Sequence, residues 1–503
     1  MNDAAFISKQ LIPERAAPVK TTGLVGLVRT RLLNSPTNIL LTIACVLLLW
    51  FTVIPAIRFL LVDAVWQGQD RTACLAENVG HPVGACWPFV QAKFTQFIYG
   101  FYPQPERWRV NLTFGLAVLL LLPLLIPRLP AKSLNAGLFF VGFPIVAFFL
   151  LYGGGIRGFG IVWTEAALSG LANGFVDGGR RLAEATALPL LSQTLTGLGT
   201  LIALIGYALA IVLWPLTFLR NIIQASGKPV WVDLAATALI VSAVLFLVGG
   251  GLRNGWRALI LSLTTFAGIA VVIAILRLDR GGLPIVDTRL WGGLLVTLVV
   301  SVTGIVTSMP VGIALALGRR STIPLIRVFS VAFIEFWRGV PLITVLFFAT
   351  YMLPLFLPGN FTIDGLMRVL IGIALFAGAY NAEVIRGGLQ AIPRGQAEAA
   401  SALGLSSWKT TGLVVMPQAL RHVIPGLVNS FIALLKDTSL VSIVALFDLL
   451  GQLRASFADP VWSTPTTLFT GFAFTGMLYF VMCFGMSRYS LFVEHRLNAH
   501  RRN

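Results

Sequence analysis

The stretch WGGLLVTLVVSVTGIVTSMPVGIALAL, residues 291–317, contains no charged side chain. An α-helix rises 1.5 Å per residue, so about 20 apolar residues cross the hydrocarbon core of a bilayer. The stretch therefore predicts a transmembrane helix. Similar apolar runs recur along most of the 503-residue chain, which predicts an all-α, polytopic membrane protein embedded in a lipid bilayer.

The composition agrees with this fold class. Hydrophobic residues make up 57% of the chain and charged residues only 11%, under half the charged share of a typical soluble domain. The net charge is +17, but no basic patch is interleaved with aromatic residues. We therefore assign the excess Lys and Arg to cytoplasmic loops and expect no nucleic-acid partner.

Apolar runs and loop charges divide the chain into regions. Eleven runs are predicted to span the membrane, at about 39–57, 110–126, 135–153, 194–219, 232–250, 258–276, 291–317, 328–353, 366–388, 424–447 and 466–487. The regions are a cytoplasmic tail (1–36), a three-helix region (37–153) with an extracytoplasmic loop (63–109), an additional transmembrane segment (154–283), a five-helix core (284–490) and a basic cytoplasmic tail (491–503). The first 36 residues lack the short apolar region and cleavage site of a signal peptide.

The number of spans depends on residues 154–283, which hold three of the runs. Three crossings there would place Trp291 on the wrong side for the charge pattern. A fourth crossing at about 156–176 would solve this, although it carries Arg157 and Glu165, which are costly in hydrocarbon. The prediction is therefore twelve spans, with ten as the alternative if one run does not cross.

Two of the four cysteines share the loop that the charge pattern places outside. Cys74 and Cys86 could form a disulfide if that compartment is oxidising, or could remain free thiols. The sequence has no CxxC motif and no Cys/His spacing typical of a metal site, so we expect no bound metal.

The stretch EAASALGLSSWKTTGLVVMP, residues 398–417, is polar and lies between two predicted spans on the cytoplasmic side. Gly404 interrupts a helical pattern, Ser406 or Ser407 can cap a second helix, and Pro417 is predicted to end the unit. Two short helices meeting at a glycine could dock into a groove on a partner protein. The pattern alone fits an amphipathic helix lying on lipid equally well.

The spacing within residues 398–417 resembles the EAA motif of ABC importer permeases. Neighbouring stretches, EFWRGVPLITVLFF (335–348), GAYNAEVIRGGLQAIPRGQ (378–396) and KDTSLVSI (436–443), resemble the polar amino acid permease family. GACWPFVQAKFTQFIYGFYPQPERWR (84–109) further resembles the larger permease subunit of general L-amino acid importers. The resemblance covers about 1–153 and 284–503, leaving residues 154–283 without a counterpart.

This resemblance implies a type I importer with a five-helix permease core in the bacterial inner membrane. The basic residues of the two tails predict that both termini lie in the cytoplasm. The partners of this chain would be a second homologous permease in a heterodimer, an ATPase dimer, a periplasmic binding protein and L-amino acids. Residues 398–417 would form the helix that couples to the ATPase, with the motif at Glu398, Ala399, Ala400, Gly404, Leu405 and Pro417.

The chain has no GxxxxGK[ST] phosphate-binding loop, so we expect no catalytic residues and no cofactor in it. ATP and magnesium would belong to the partner ATPase. An ion-driven carrier commonly shows internal repeats, which are not visible here, and a membrane enzyme would need clustered His, Asp or Cys. The four histidines do not cluster in the sequence.

Ionisable residues inside membrane helices are candidates for the substrate path. A zwitterionic amino acid needs an anion for its ammonium group and a cation for its carboxylate. The candidates, with nearby polar side chains, are Glu335, Arg338, Tyr380, Asn381, Glu383, Lys436, Asp437 and Thr438. The alternative is that acids and bases pair with one another to lower the cost of burial. Glu383 and Arg386, three residues apart, also fit a local bridge on one helix.

Overall fold

The computed structural model describes residues 27–28, 32–80, 82–126, 129, 132–184, 192–248, 255–356 and 363–498. Most of the tail predicted over 1–36 lies outside these residues, as do residues 499–503 of the tail predicted over 491–503. The first eight residues of that second tail, 491–498, instead complete the last helix.

The described residues fold almost entirely into α-helices. In chain order these are α1 Pro36–Ile57, α2 Ala76–Val79, α3 Trp87–Tyr99, α4 Arg107–Leu125, α5 Lys132–Gly137, α6 Phe143–Leu151, α7 Gly160–Ala183, α8 Ser192–Ala225, α9 Pro229–Val248, α10 Trp256–Ile275, α11 Leu294–Arg319, α12 Pro324–Gly339, α13 Leu342–Phe347, α14 Leu353–Phe356, α15 Gly365–Gln390, α16 Arg394–Ala402, α17 Ser407–Lys409, α18 Met416–Asp437, α19 Leu449–Ser456 and α20 Pro465–Asn498. Single π-helical turns join α5 to α6, α13 to α14 and α17 to α18.

Ten helical stretches among the described residues are long and apolar enough to cross a membrane, and a bent pair made by α12 with α13–α14 raises the number to eleven. Each of the eleven predicted apolar runs coincides with one of these stretches. The polytopic all-α class is therefore confirmed. The additional crossing considered at 156–176 corresponds to α7, which has 24 residues but is too polar to be counted among them.

The chain forms two compact units that do not follow the order of the sequence regions. Among the described residues, the first unit contains those within 1–98, 424–439 and 448–503, and the second contains those within 99–423 and 440–447. The region predicted over 37–153 is consequently divided between the two units, because its first 62 residues pack with the C-terminal helices rather than with the helices that follow.

In the first unit, residues 63–98 pack on residues 448–464, and we call these two segments together the cap. Gln96 Nε2 donates to Gln452 Oε1 at 3.1 Å, and the backbone N–H of Cys86 donates to Thr470 Oγ1 in the adjoining helix α20 at 2.9 Å. Phe89 stacks on Phe457 with ring centroids 6.3 Å apart. Part of the loop predicted over 63–109 is therefore helical and packed, in α2 and α3.

In the second unit, α7 and α8 run antiparallel and pack through small residues. A Cβ at Gly179 would lie 2.5 Å from Gly199 O, and one at Gly206 would lie 2.6 Å from Ala172 O. Such close backbone approach is typical of helix pairs in membranes, where burial of apolar surface does not drive association. The additional segment is thus built as a tight helical hairpin followed by α9 and α10.

The first and third core helices, α11 and α15, also pack closely in the second unit. A Cβ at Gly378 would lie 2.5 Å from Val311 Cγ1, and one at Gly312 would lie 2.9 Å from Asn381 Cβ. The predicted span over 328–353 is not one straight helix, because α12 ends at Gly339 and the next helical stretch leaves at an angle of 104°. Pro341 has no N–H to donate and so favours a break here.

Candidate functional site

Residues 398–417 begin in α16 and continue, after a sharp turn at Gly404, into a second helical stretch. Gly404 has φ of 79°, a left-handed conformation that glycine adopts without steric cost. The backbone of Ser406 is extended before α17, although its side chain makes no capping hydrogen bond. The turn therefore lies where the sequence predicted it.

The predicted end of this unit at Pro417 is wrong. Pro417 follows the π-helical turn Thr410–Val415, and such an irregularity in the helical hydrogen bonds accommodates a residue without an N–H. The helical run is continuous from Ser407 to Val444, 38 residues in all. Only α16 is thus a separate short helix, and the second half of residues 398–417 is the beginning of a long helix suited to cross the membrane.

Large apolar side chains are uncovered on this segment. Leu403 is 83% exposed, Trp408 84% and Leu413 69%. Among the motif residues, Glu398, Ala399, Gly404 and Pro417 are exposed, Leu405 is half-buried and Ala400 is buried. Trp408 and Leu413 were not singled out from the sequence, although an exposed Trp in a polar stretch is a signal of recognition.

The segment is fastened to the end of α15. A Cβ at Gly388 would lie 2.7 Å from Ala419 O, so α15 and α18 touch backbone to backbone. Gln418 Nε2 donates to Gln396 Oε1 at 3.1 Å, and Leu405 N donates to Ala400 O at 3.2 Å. A displacement of α16 would therefore be transmitted to both α15 and α18.

The structure brings two of the predicted acids together around Arg319, which lies just beyond the predicted span 291–317. Arg319 Nη1 lies 3.0 Å from Glu335 Oε1 and 3.3 Å from Glu383 Oε2. Arg386 Nε donates to Glu383 Oε1 at 2.8 Å. Glu335 and Glu383 are therefore already paired within the chain, which favours the alternative of mutual neutralisation.

Three further candidates make neutral or weak contacts in the same unit. The guanidinium carbon of Arg338 lies 5.8 Å from the centroid of the Tyr380 ring, a cation–π arrangement. Asn381 is buried, and its Nδ2 donates to Ser308 Oγ at 2.9 Å. Asn381 thus joins α15 to α11 and is a packing contact as the structure stands.

The remaining candidates lie where α18 changes its helix type. The α-helix ends at Asp437, and residues Thr438–Val444 form a 3-10 helix. Lys436 is exposed and Asp437 half-buried, and neither forms an ion pair with any described residue. Thr438 Oγ1 donates to Leu435 O at 2.8 Å. Lys436, Asp437 and Thr438 belong to the first compact unit, whereas the other candidates belong to the second.

Cys74 and Cys86 are joined by a disulfide bond in the cap. Next to them, Lys93 and Asp459 form an ion pair, and this hydrogen bond from Lys93 lowers the pKa of the Asp459 carboxyl. Burial raises the pKa of Asp448, whose carboxylate accepts from Leu450 N at 3.1 Å and Gly451 N at 2.9 Å and so caps α19. Of these contacts, the Lys93–Asp459 pair joins the two segments of the cap, whereas the disulfide lies within the first segment and the Asp448 hydrogen bonds lie within the second.

Comparison with known proteins finds relatives that match this chain over nearly its whole length. Residues 308–498 match the family described as "Binding-protein-dependent transport system inner membrane component". The chain is 35% identical to the inner membrane amino-acid ABC transporter permease protein YhdY of Escherichia coli K12, over 97% of each chain. It is 37% identical over the full length of each chain to the glutamate/glutamine/aspartate/asparagine transport system permease protein BztC of Rhodobacter capsulatus.

These full-length matches define a class: a membrane-embedded permease subunit of an ABC transporter, not an enzyme. The chain belongs to the family of amino-acid ABC transporter permeases. The glutamate/aspartate import permease protein GltK of Escherichia coli O6:H1 is 32% identical and matches over 91% of its own length but only 41% of this chain. Residues 154–283, without a counterpart in the sequence resemblance, thus lie within a length shared with YhdY and BztC.

Proposed function

We propose that this permease imports L-amino acids and that a partner ATPase docks on residues 398–417. We infer the docking site from the exposure of Leu403, Trp408 and Leu413, because large exposed apolar side chains mark a protein contact. The polar residues around Leu403 and Trp408 argue against burial of these two side chains in lipid, whereas Leu413 lies in the apolar stretch GLVVM (412–416). ATP and magnesium would bind the partner, since this chain has no phosphate-binding loop.

The substrate contact within this chain is assigned to Lys436 and Asp437. Both are ionisable, neither is paired with a described residue, and they lie at the transition from α-helix to 3-10 helix. Helix irregularities within membrane segments free backbone groups and often form binding sites. The Lys436 ammonium would receive the amino acid carboxylate, and Asp437 its ammonium group. Glu335 and Glu383 are weaker candidates because Arg319 already neutralises them.

The proposed assembly contains a second homologous permease, two ATPase subunits and a periplasmic binding protein. The matched family is described as binding-protein-dependent, and the names of the full-length relatives specify amino acids. In this arrangement both termini and residues 398–417 face the cytoplasm of a bacterial inner membrane. The cap then faces the periplasm, where an oxidising environment would allow the disulfide between Cys74 and Cys86.

The docking proposal is tested with Trp408→Ala. Loss of an exposed aromatic anchor from a protein interface weakens binding by about tenfold or more. We expect less ATPase to co-purify with the variant, while the amount of permease in the membrane stays unchanged. Trp214→Ala is the matched control, because Trp214 is 68% exposed on the apolar helix α8 and should lose no ATPase. Equal recovery of ATPase with both variants and the unmodified chain would remove residues 398–417 as the docking site.

A further inference from the structure

Arg319 ends α11, and its guanidinium reaches carboxylates on two other helices. Nη1 lies 3.0 Å from Glu335 Oε1 on α12 and 3.3 Å from Glu383 Oε2 on α15. Glu383 uses its other oxygen, Oε1, to accept from Arg386 Nε at 2.8 Å. Positive and negative groups therefore alternate, and a single guanidinium ties the ends of three helices together.

A second contact reinforces the link from the neighbouring residue. Arg320 Nη1 donates to Leu389 O, 3.3 Å away, in the last turn of α15. Since α15 ends at Gln390 and α16 begins at Arg394, both arginines hold the two helical turns that lead into residues 398–417. The contacts of Arg319 with Glu383 and of Arg320 with Leu389 O therefore connect this segment directly to the end of α11.

The packing around these contacts leaves little room for independent movement. A Cβ at Gly318 would lie 2.2 Å from Ser330 Oγ, so α11 and α12 approach closely next to Arg319. A Cβ at Gly388 would lie 2.7 Å from Ala419 O, which brings α15 equally close to α18. Helices packed in this way shift as bodies rather than bending separately.

We infer that Arg319 is a positioning residue for transport, which transmits a displacement of residues 398–417 to α11 and α12. The inference rests on the proposed function, because it needs an ATPase that moves this segment. The side chains of the cluster are partly exposed, 26% for Arg319 and 56% for Glu335, and such pairs contribute little to stability. Removing the guanidinium should therefore disturb transmission more than folding.

The test uses the complete transporter in proteoliposomes and measures ATP hydrolysis and amino acid uptake in the same vesicles. For Arg319→Gln we expect the number of amino acids imported per ATP to fall by about fivefold or more, with unchanged co-purification of the ATPase. Arg319→Lys retains the charge but cannot present the planar guanidinium, so its ratio of import to ATP should lie between those of the unmodified protein and Arg319→Gln. Arg327→Gln is the matched control: it removes an exposed arginine of α12 that forms no ion pair with a described residue.

The outcomes separate the two proposals. An unmodified complex that imports nothing in response to ATP would overturn the proposed function. An unchanged ratio of import to ATP in Arg319→Gln would overturn the role of Arg319. So would a parallel loss of uptake, hydrolysis and co-purified ATPase in both Arg319 variants, because that pattern indicates structural damage and not failed transmission.

Discussion

The ionisable side chains of the additional segment differ from those at the end of α18 in whether the chain itself satisfies them. In the additional segment, Glu165 is buried and lies 2.9 Å from Arg220 Nη1, and Asp233 is fully buried among backbone donors. At the end of α18, Lys436 and Asp437 have no ionic partner among the described residues. The charges of the two regions therefore differ in whether the chain itself pairs them, and we propose that the unpaired ones at the end of α18 contact the substrate.

The largest effect is expected from Asp233→Ala, which removes a charge that the additional segment itself pairs with hydrogen-bond donors. Asp233 accepts from the backbone N–H groups of Phe159, Ile161 and Val162, at 2.6, 2.9 and 3.1 Å, and so caps α7. These N–H groups have no partner within their own helix. Loss of the carboxylate leaves these N–H groups buried without an acceptor and should destabilise the protein by about 3 kcal/mol or more, measured as thermal unfolding in detergent.

Asp233→Asn retains an acceptor oxygen and serves as the control, with a smaller expected loss of stability than Asp233→Ala. If Asp233→Ala unfolds at the temperature of the unmodified protein, full burial of a carboxylate would no longer identify a structural charge here.

The next largest effect is expected from Lys436→Ala, which removes one of the unpaired charges at the end of α18. Removal of a charged hydrogen-bond donor that contacts the substrate should lower uptake by about tenfold or more. Thermal stability should not change, because no described partner is left unpaired. Uptake by the complete transporter and the unfolding temperature are measured on the same preparation.

Lys132→Ala offers a matched control for Lys436→Ala. Lys132 Nζ donates to Ile126 O at 2.9 Å near the start of α5, away from any predicted substrate contact, so uptake should be retained. A variant at Lys436 that unfolds early, yet transports normally once folded, would place this lysine among the structural charges.

The smallest effect concerns the Lys93–Asp459 pair of the cap. The hydrogen bond from Lys93 lowers the pKa of Asp459, so the pair stabilises the fold above the ordinary carboxyl pKa of 3.8, and this stability is lost as the pH falls below it. The contribution should be under about 1 kcal/mol, as for other partly exposed pairs. Asp459→Asn should therefore unfold slightly earlier than the unmodified protein at about pH 6, and the difference should shrink as the pH is lowered below 3.8.

The predictability of these features follows from the range of the interactions involved. All eleven apolar runs were visible because hydrocarbon thickness imposes a length and a composition on each helix. The turn at Gly404 could also be predicted, since it depends only on the backbone conformation of the glycine itself. The helix end predicted at Pro417 is wrong because proline, which commonly ends a helix, is also tolerated next to a π-helical turn, and the sequence shows no such turn.

The remaining features depend on which helices meet. Arg319 appeared to be an ordinary loop cation until α11, α12 and α15 placed two carboxylates around it. Asp233 gave no signal either, because its partners lie more than 70 residues away in the sequence. The 104° bend had a local sign in Gly339 and Pro341, but a break and a straight span have similar hydropathy.

The cap has a consequence for the making of the protein. Cys86 and its hydrogen-bond partner Thr470 are separated by 384 residues, and a ribosome adding 5–20 residues per second needs on the order of half a minute to span that distance. During this interval residues 63–98 lack the C-terminal residues that they contact in the folded protein. In the orientation proposed above, a nascent permease of this kind is therefore exposed to periplasmic proteases and folding factors until its final helix has been inserted.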